Sequence, residues 1–185
     1  MNKRSVLAVA VALMCGFSAL QALAATDPMV GGAAMYPTKN IVENAVNSKD
    51  HTTLVAAVKA AGLVDTLEGP GPFTVFAPTN EAFDKLPAGT VDTLLKPENL
   101  AQLKKILTYH VVAGKLTAKD IARQIKAGGG KATLTTVEGG TLTAMMQGGK
   151  LVLTDEKGGT ATVTIANVNQ SNGEIQVIDT VLMPN

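Results

Sequence analysis

The sequence predicts an α+β fold, and three observations carry that prediction. Residues 38–127 place apolar side chains at helical spacing. From Lys131 onward the chain turns into short runs rich in Thr, Val, Ile and Leu, separated by Gly-Gly and Asn-Gly pairs. Within the helical half stands one apolar strand, Phe73 to Ala77, which runs into Pro78. Helices followed by a block of strands are the mark of an α+β fold rather than of alternating βα units.

In chain order, Thr26 to Pro37 ("TDPMVGGAAMYP") reads as an extended lead-in. Thr52 and Thr53 precede Leu54, Val55, Val58 and Ala61, the apolar spacing of one helix face. Phe73, Val75 and Ala77 point to one side of the apolar strand, and Thr74 and Phe76 to the other. Both sides are largely apolar, which predicts a central strand whose pairing stops at Pro78 for want of an N–H. Thr79 or Asn80 can cap a helix that begins at Glu81, buries Phe83 and Leu86, and ends at Pro87. Pro97 suits a helix start, with Leu100, Leu103, Ile106 and Leu107 following on one face. Thr117 and Asp120 form a capping box for a helix that carries Ile121 and Ile125 inward and stops at Gly128-Gly129-Gly130. The runs "ATLTTV", "TLTAMM", "KLVLTD", "TATVTIANV" and "EIQVIDTVLM", joined by Gly139-Gly140, Gly148-Gly149, Gly158-Gly159 and Asn172-Gly173, predict hairpins of a plain antiparallel sheet.

The organisation is one domain behind a leader. Lys3 and Arg4 precede an uncharged apolar core, Ser5 to Leu20, and Ala22-Leu23-Ala24 is a small-x-small cleavage site. Residues 1–24 therefore read as a cleaved secretory signal, 25–37 as the lead-in, and 38–185 as the folded domain. Cys15 is no lipid-attachment site, because Met14 before it is too bulky. Cleavage removes Cys15, the only cysteine, so the exported chain relies on packing rather than disulfides. The expected location is secreted or periplasmic, with no membrane span in the mature form.

Composition narrows the function classes. Without Lys3 and Arg4, fourteen Lys and Arg face fifteen Asp and Glu, and no basic stripe is present. Nucleic acid and anionic membrane are thus poor partners. Trp is absent, and two Tyr and three Phe remain after the leader, too few for stacking platforms. His51 and His110 have no partner at metal-ligand spacing, and no nucleophile elbow, phosphate loop or dinucleotide fingerprint occurs. No catalytic, metal-binding or cofactor-binding residue is expected. Asp155-Glu156 reads as a solvated hairpin tip, and Asn169-Gln170-Ser171 matches a glycosylation sequon. Met145 and Met146, adjacent on one strand, face opposite sides, which puts at least one in the core.

Three long stretches carry a resemblance. "GPFTVFAPTNEAFDKLP", beginning at Gly71, resembles the first signature of the fasciclin, or FAS1, domain. "LKKILTYHVVAGKL", Leu103 to Leu116, resembles the family's Tyr-His segment, and "NGEIQVIDTVLMP", Asn172 to Pro184, its closing signature. The resemblance covers Ile41 to Pro184. It implies a single FAS1 domain, a β-sandwich-like wedge with helices packed around it. It implies a non-enzymatic exported interaction or adhesion module that binds a protein or cell-surface partner. The alternative is a carrier of a hydrophobic small ligand, lipid or carotenoid-like. The family's adhesion-linked positions fall here on Tyr109 and His110. A second pair falls on Asn167 and Val168, where some animal members carry Asp-Ile; Asn167 lacks that carboxylate. Gln176 stands where the closing signature usually has His. Beside these roles, His110 follows an apolar helix face and precedes Val111 and Val112, which predicts a buried ring bonded to neighbouring backbone.

Overall fold

A computed structural model describes residues 27–185; the leader and Cys15 lie outside the described residues. The helical half contains α1 (Ile41–Ala45), α2 (Thr52–Ala60), α3 (Val64–Glu68), α4 (Asn80–Asp84), α5 (Thr90–Leu94), α6 (Leu100–Tyr109) and α7 (Ala118–Ala127). The strands are β1 (Met29–Val30), β2 (Ala33–Ala34), β3 (Phe73–Pro78), β4 (Val111–Ala113), β5 (Lys131–Thr135), β6 (Thr141–Gln147), β7 (Lys150–Thr154), β8 (Thr160–Gln170) and β9 (Gly173–Ile178). Strands β1 and β2 pair with each other, and the other seven form one sheet in the order β4-β3-β9-β8-β7-β6-β5.

The capping chemistry legible in the sequence is in place. Thr117 and Asp120 close a full capping box on α7, whose buried residues are Ile121 and Ile125. Gly128 ends that helix, with its N–H on the Gln124 carbonyl. The Thr79 hydroxyl accepts from the Ala82 amide at the start of α4. Asn80 does a different job: its Oδ1 accepts from the Thr53 amide at 3.1 Å, so it caps α2 across the chain.

Two expectations about the sheet are corrected. The sheet is mixed rather than plainly antiparallel. Strands β5 to β9 form an antiparallel meander, but β9 then pairs in parallel with β3. Pairing also does not stop at Pro78, which lies opposite Ile178. The ladder continues because the next amide, Thr79, donates to the Ile178 carbonyl. The central placement of β3 holds, since β4 flanks its other side. The far end of the sheet returns toward its start: Val112 bridges Thr136, and the Val137 amide donates to the Val111 carbonyl. The sheet is therefore nearly closed on itself.

Alternation along β3 and β9 feeds two cores. Val75, Ala77, Ile175 and Val177 join the apolar sides of α1, α2, α4 and α6. Phe76 and Ile178 face the other way, into a cluster with Ile121 and Ile125 of α7 and with Leu142, Leu153 and Val163. Met146 has the parity of Leu142 and Ala144 yet is 46% exposed, and Met145 is only half-buried. Neither methionine is core, because the β6–β7 hairpin, exposed from Met146 to Lys150, projects beyond it. The lead-in is seated on the domain: Val30 and Met35 are buried, and the Lys49 amide donates to the Gly31 carbonyl.

Candidate functional site

Tyr109 and His110 end α6 and are both buried, at 0% and 2% exposure. The Tyr109 hydroxyl donates to the Thr141 carbonyl at 2.7 Å and accepts from the Glu156 amide at 3.2 Å. Its ring passes so close to Gly140 that a Cβ there would stand 2.7 Å from Cε2, so the β5–β6 turn needs glycine at that point. Burial pushes the phenol up to about 12, against the Glu156 backbone contact, which pulls it down.

His110 is satisfied at both ring nitrogens. Nε2 accepts from the Leu182 amide at 3.0 Å, which leaves the proton on Nδ1, donated to the Ile106 carbonyl at 2.8 Å. Burial lowers its pKa to about 4, with the Ile106 contact and Asp155 opposing. The ring is therefore neutral at physiological pH. Its backbone carbonyl accepts from the Phe76 amide at 2.8 Å. The three sequence signatures thus meet at one point: β3 from the first, the end of α6 from the second, and β9 with Leu182 from the third.

Asn167 and Val168 belong to another neighbourhood, the irregular stretch of β8 opposite β9. Val168 is fully buried. Asn167 is exposed, adopts a left-handed backbone with φ 60°, and accepts on Oδ1 from the Ala118 amide that opens α7. Its own amide donates to Gln176 Oε1 at 3.2 Å. Gln176 in turn donates to the Leu116 carbonyl and to Glu174 Oε1. The position usually held by His is here a buried amide that ties three segments together. Glu174 is fully buried, its Oε2 has no partner, and burial pushes its carboxyl above the usual range.

His51 is buried as well. Its Nδ1 pairs with the Ser48 hydroxyl at 2.8 Å, Nε2 lacks a hydrogen-bond partner, and burial lowers its pKa. Two residues matter more than the sequence signalled. The Asn172 side chain donates to the carbonyls of Leu67 and Gly69 and accepts from the Ile41 amide, joining α1, α3 and the β8–β9 turn. Asn44, fully buried, bonds both backbone polar groups of Tyr36 and the side chain of Gln170. Asn-Gly signalled the turn at Asn172, but no local pattern marks either asparagine as a long-range hub. Among the described residues no group of three or more His, Cys, Asp or Glu is placed to hold a metal ion. No helix among them is long and apolar enough to cross a membrane.

The fasciclin-domain family model matches residues 49–184. The chain belongs to the fasciclin domain family. It is 46% identical over 157 residues to Protein sll1483 of Synechocystis, covering 84% of this chain and 79% of that protein. It is 36% identical over 160 residues to the cell surface glycolipoprotein MPB83 of Mycobacterium bovis, covering 86% of this chain and 62% of that relative. A FAS1 domain pair from the insect cell adhesion molecule Fasciclin I superposes with a TM-score of 0.69 at 20% identity, covering 78% of this chain and 51% of that one. That last likeness concerns the fold: one FAS1 domain, with helices packed about a nearly closed sheet.

Proposed function

We propose that this chain is an exported, non-enzymatic FAS1 interaction module that binds a protein or cell-surface partner, in the periplasm or outside the cell. The observation that carries this reading is the extended match to a relative named as a cell surface glycolipoprotein, in a domain family shared with an insect adhesion molecule. The secretory pattern of residues 1–24 supports export. The inward commitment of Tyr109 and His110 supports a structural role for that pair, with contacts made elsewhere.

A carrier of an apolar ligand would use the helical side. The apolar cavities there, one among Val42, Val55, Val58 and Leu67 and one beside His51, measure about 30 and 20 Å³. Ligand pockets run to roughly 300–1,000 Å³, so carriage in either of these two cavities requires its walls to part. The interaction reading needs no such rearrangement.

Fractionation and capture test the proposal together. Protein recovered from periplasm or medium should begin near Ala25 and carry no lipid. The mature domain, immobilised, should retain a specific component of envelope or medium fractions. A chain that keeps Met1 and stays in the cytoplasm would contradict export. A purified protein that carries a stoichiometric apolar ligand would favour the carrier instead.

A further inference from the structure

Exposed cations gather at one end of the β5–β8 meander. Helix α7 opens beside β8, where Asn167 Oδ1 accepts from the Ala118 amide, and packs along β5 and β6. It ends against β5, so tightly that a Cβ on Gly128 would collide with the Lys131 carbonyl. Ile121 and Ile125 point into the meander, and Lys119, Arg123 and Lys126 form one exposed stripe on the far side of the helix. Lys131, first in β5, lies opposite Met145, and Lys150 lies opposite Gln147 at the exposed β6–β7 tip. Both strand lysines share the outer face of the meander with a row of paired threonines, Thr133, Thr143, Thr154 and Thr160, and stand at the end of that face beyond the row.

Carboxylates avoid this end. No Asp or Glu lies between Asp120 and Glu138, or between Glu138 and Asp155. Glu138 follows the opposite end of β5 and stands 3.8 Å from Lys105. Asp120 pairs with Arg123 at 3.3 Å. The ion pairs among the described residues use none of Lys119, Lys126, Lys131 and Lys150. Of the fourteen Lys and Arg outside the leader, five thus stand together beside one carboxylate, and nine face the other fourteen. The molecule is polarised although its net charge is near zero. At the tip, Met146 is 46% exposed, an apolar side chain among the cations.

We propose that this end of the module docks on an anionic lipid bilayer, with Lys119, Arg123, Lys126, Lys131 and Lys150 toward the headgroups and Met146 in the interface. The inference rests on the interaction-module reading above and names the surface that the module meets. Composition argued against an anionic membrane because no basic stripe runs along the chain. The cations come from α7, the start of β5 and the β6–β7 tip, and only the fold brings these segments together. Each Lys or Arg near an anionic bilayer contributes about fivefold in affinity, so several together hold a folded domain reversibly where one would not. The carboxylate excess elsewhere turns the rest of the molecule away from the same surface, which favours one orientation. Met146 decides between a bilayer and a dissolved polyanion. A polyanion would pair with the cations and leave the methionine in water, whereas a bilayer interface covers it.

Flotation of the mature chain with vesicles of phosphatidylcholine and phosphatidylglycerol in equal parts tests this. The chain should float with these vesicles at low salt, less as salt rises, and not with pure phosphatidylcholine. The double variant Lys131→Glu, Lys150→Glu should bind at least about tenfold more weakly with an unchanged melting temperature. The variant Lys96→Glu, Lys104→Glu changes net charge equally on the helical side and should bind nearly as the unaltered chain does. Met146→Ser should weaken flotation while leaving retention on dextran sulfate unchanged. The proposal is overturned by no flotation at low salt, by equal flotation with both vesicle types, by equal losses in the two double variants, or by a Met146→Ser variant that floats normally. If vesicles are not bound but a protein partner is captured, and the Lys131→Glu, Lys150→Glu variant captures it equally, the interaction-module reading stands and this end is not its site.

Discussion

The junction at Tyr109–His110 and the outer face of β5–β8 handle polar groups in opposite ways. At the junction the Tyr109 hydroxyl and His110 Nε2 are bonded to backbone of distant segments, His110 Nδ1 is bonded to the Ile106 carbonyl one turn back in α6, and both side chains are buried. On the sheet face a row of four threonines spans the strands with its hydroxyls turned outward. The junction comes from residues that stand out in the sequence; the sheet face comes from residues that look like ordinary strand formers. Recognisable motifs and available chemistry are thus separated in this molecule. A buried polar group that loses its partner is costly, so the positions that must not vary are those that close the fold. A solvent-facing threonine carries no such penalty.

The largest effect is expected from emptying the core beneath the junction. Phe76 is fully buried and Phe73 only half-buried. Phe76→Ala should cost about 3–5 kcal/mol, and Phe73→Ala clearly less. Chemical denaturation of the two variants measures this; equal losses would mean the two sides of β3 are packed alike.

The next effect is a pH dependence. His110 has its pKa lowered to about 4 in the folded chain, from an ordinary 6.5. The unfolded chain then binds the extra proton across that interval, so stability is complete above pH 6.5 and falls as pH drops toward 4. The loss from this group is on the order of 3 kcal/mol. His51, lowered in the same direction, adds to it. A His110→Gln variant should show a flatter melting temperature between pH 7 and 4, and an unaltered slope would place the sensitivity elsewhere.

Much of this architecture was legible. Thr117 with Asp120, the apolar face of α6 and the glycine-spaced hairpins are local patterns, and local patterns survive in one dimension. The parallel pairing of β3 with β9 was not legible, because about a hundred residues separate strands whose own composition is compatible with either direction. The hubs Asn44, Asn80 and Asn172 escaped for the same reason: their partners lie far along the chain, and an asparagine in a turn is ordinary by itself. At the candidate site, the apolar flanks of His110 foretold its burial. Register alone aligned the threonine row, which is why no inspection of "TLTT" or "TATVT" reveals it.

A smaller effect is expected at Glu174, on β9. Glu174 is buried with one carboxylate oxygen unpartnered, and its pKa is raised. A raised acid pKa costs stability as pH rises past the unfolded value. Glu174→Gln should therefore stabilise the chain at neutral pH, with less gain near pH 4. A destabilised variant at pH 7 would show that the free oxygen has a partner in solution.

If His110 closes the fold rather than contacts a partner, a single variant shows it. His110→Ala leaves the Leu182 amide and the Ile106 carbonyl without their ring partner. A loss of about 1–3 kcal/mol is expected, read as a lower melting temperature. Capture of envelope material, measured well below that temperature, should be unchanged. A melting temperature equal to that of the unaltered chain, together with lost capture, would contradict a closing role and make Tyr109–His110 the contact site.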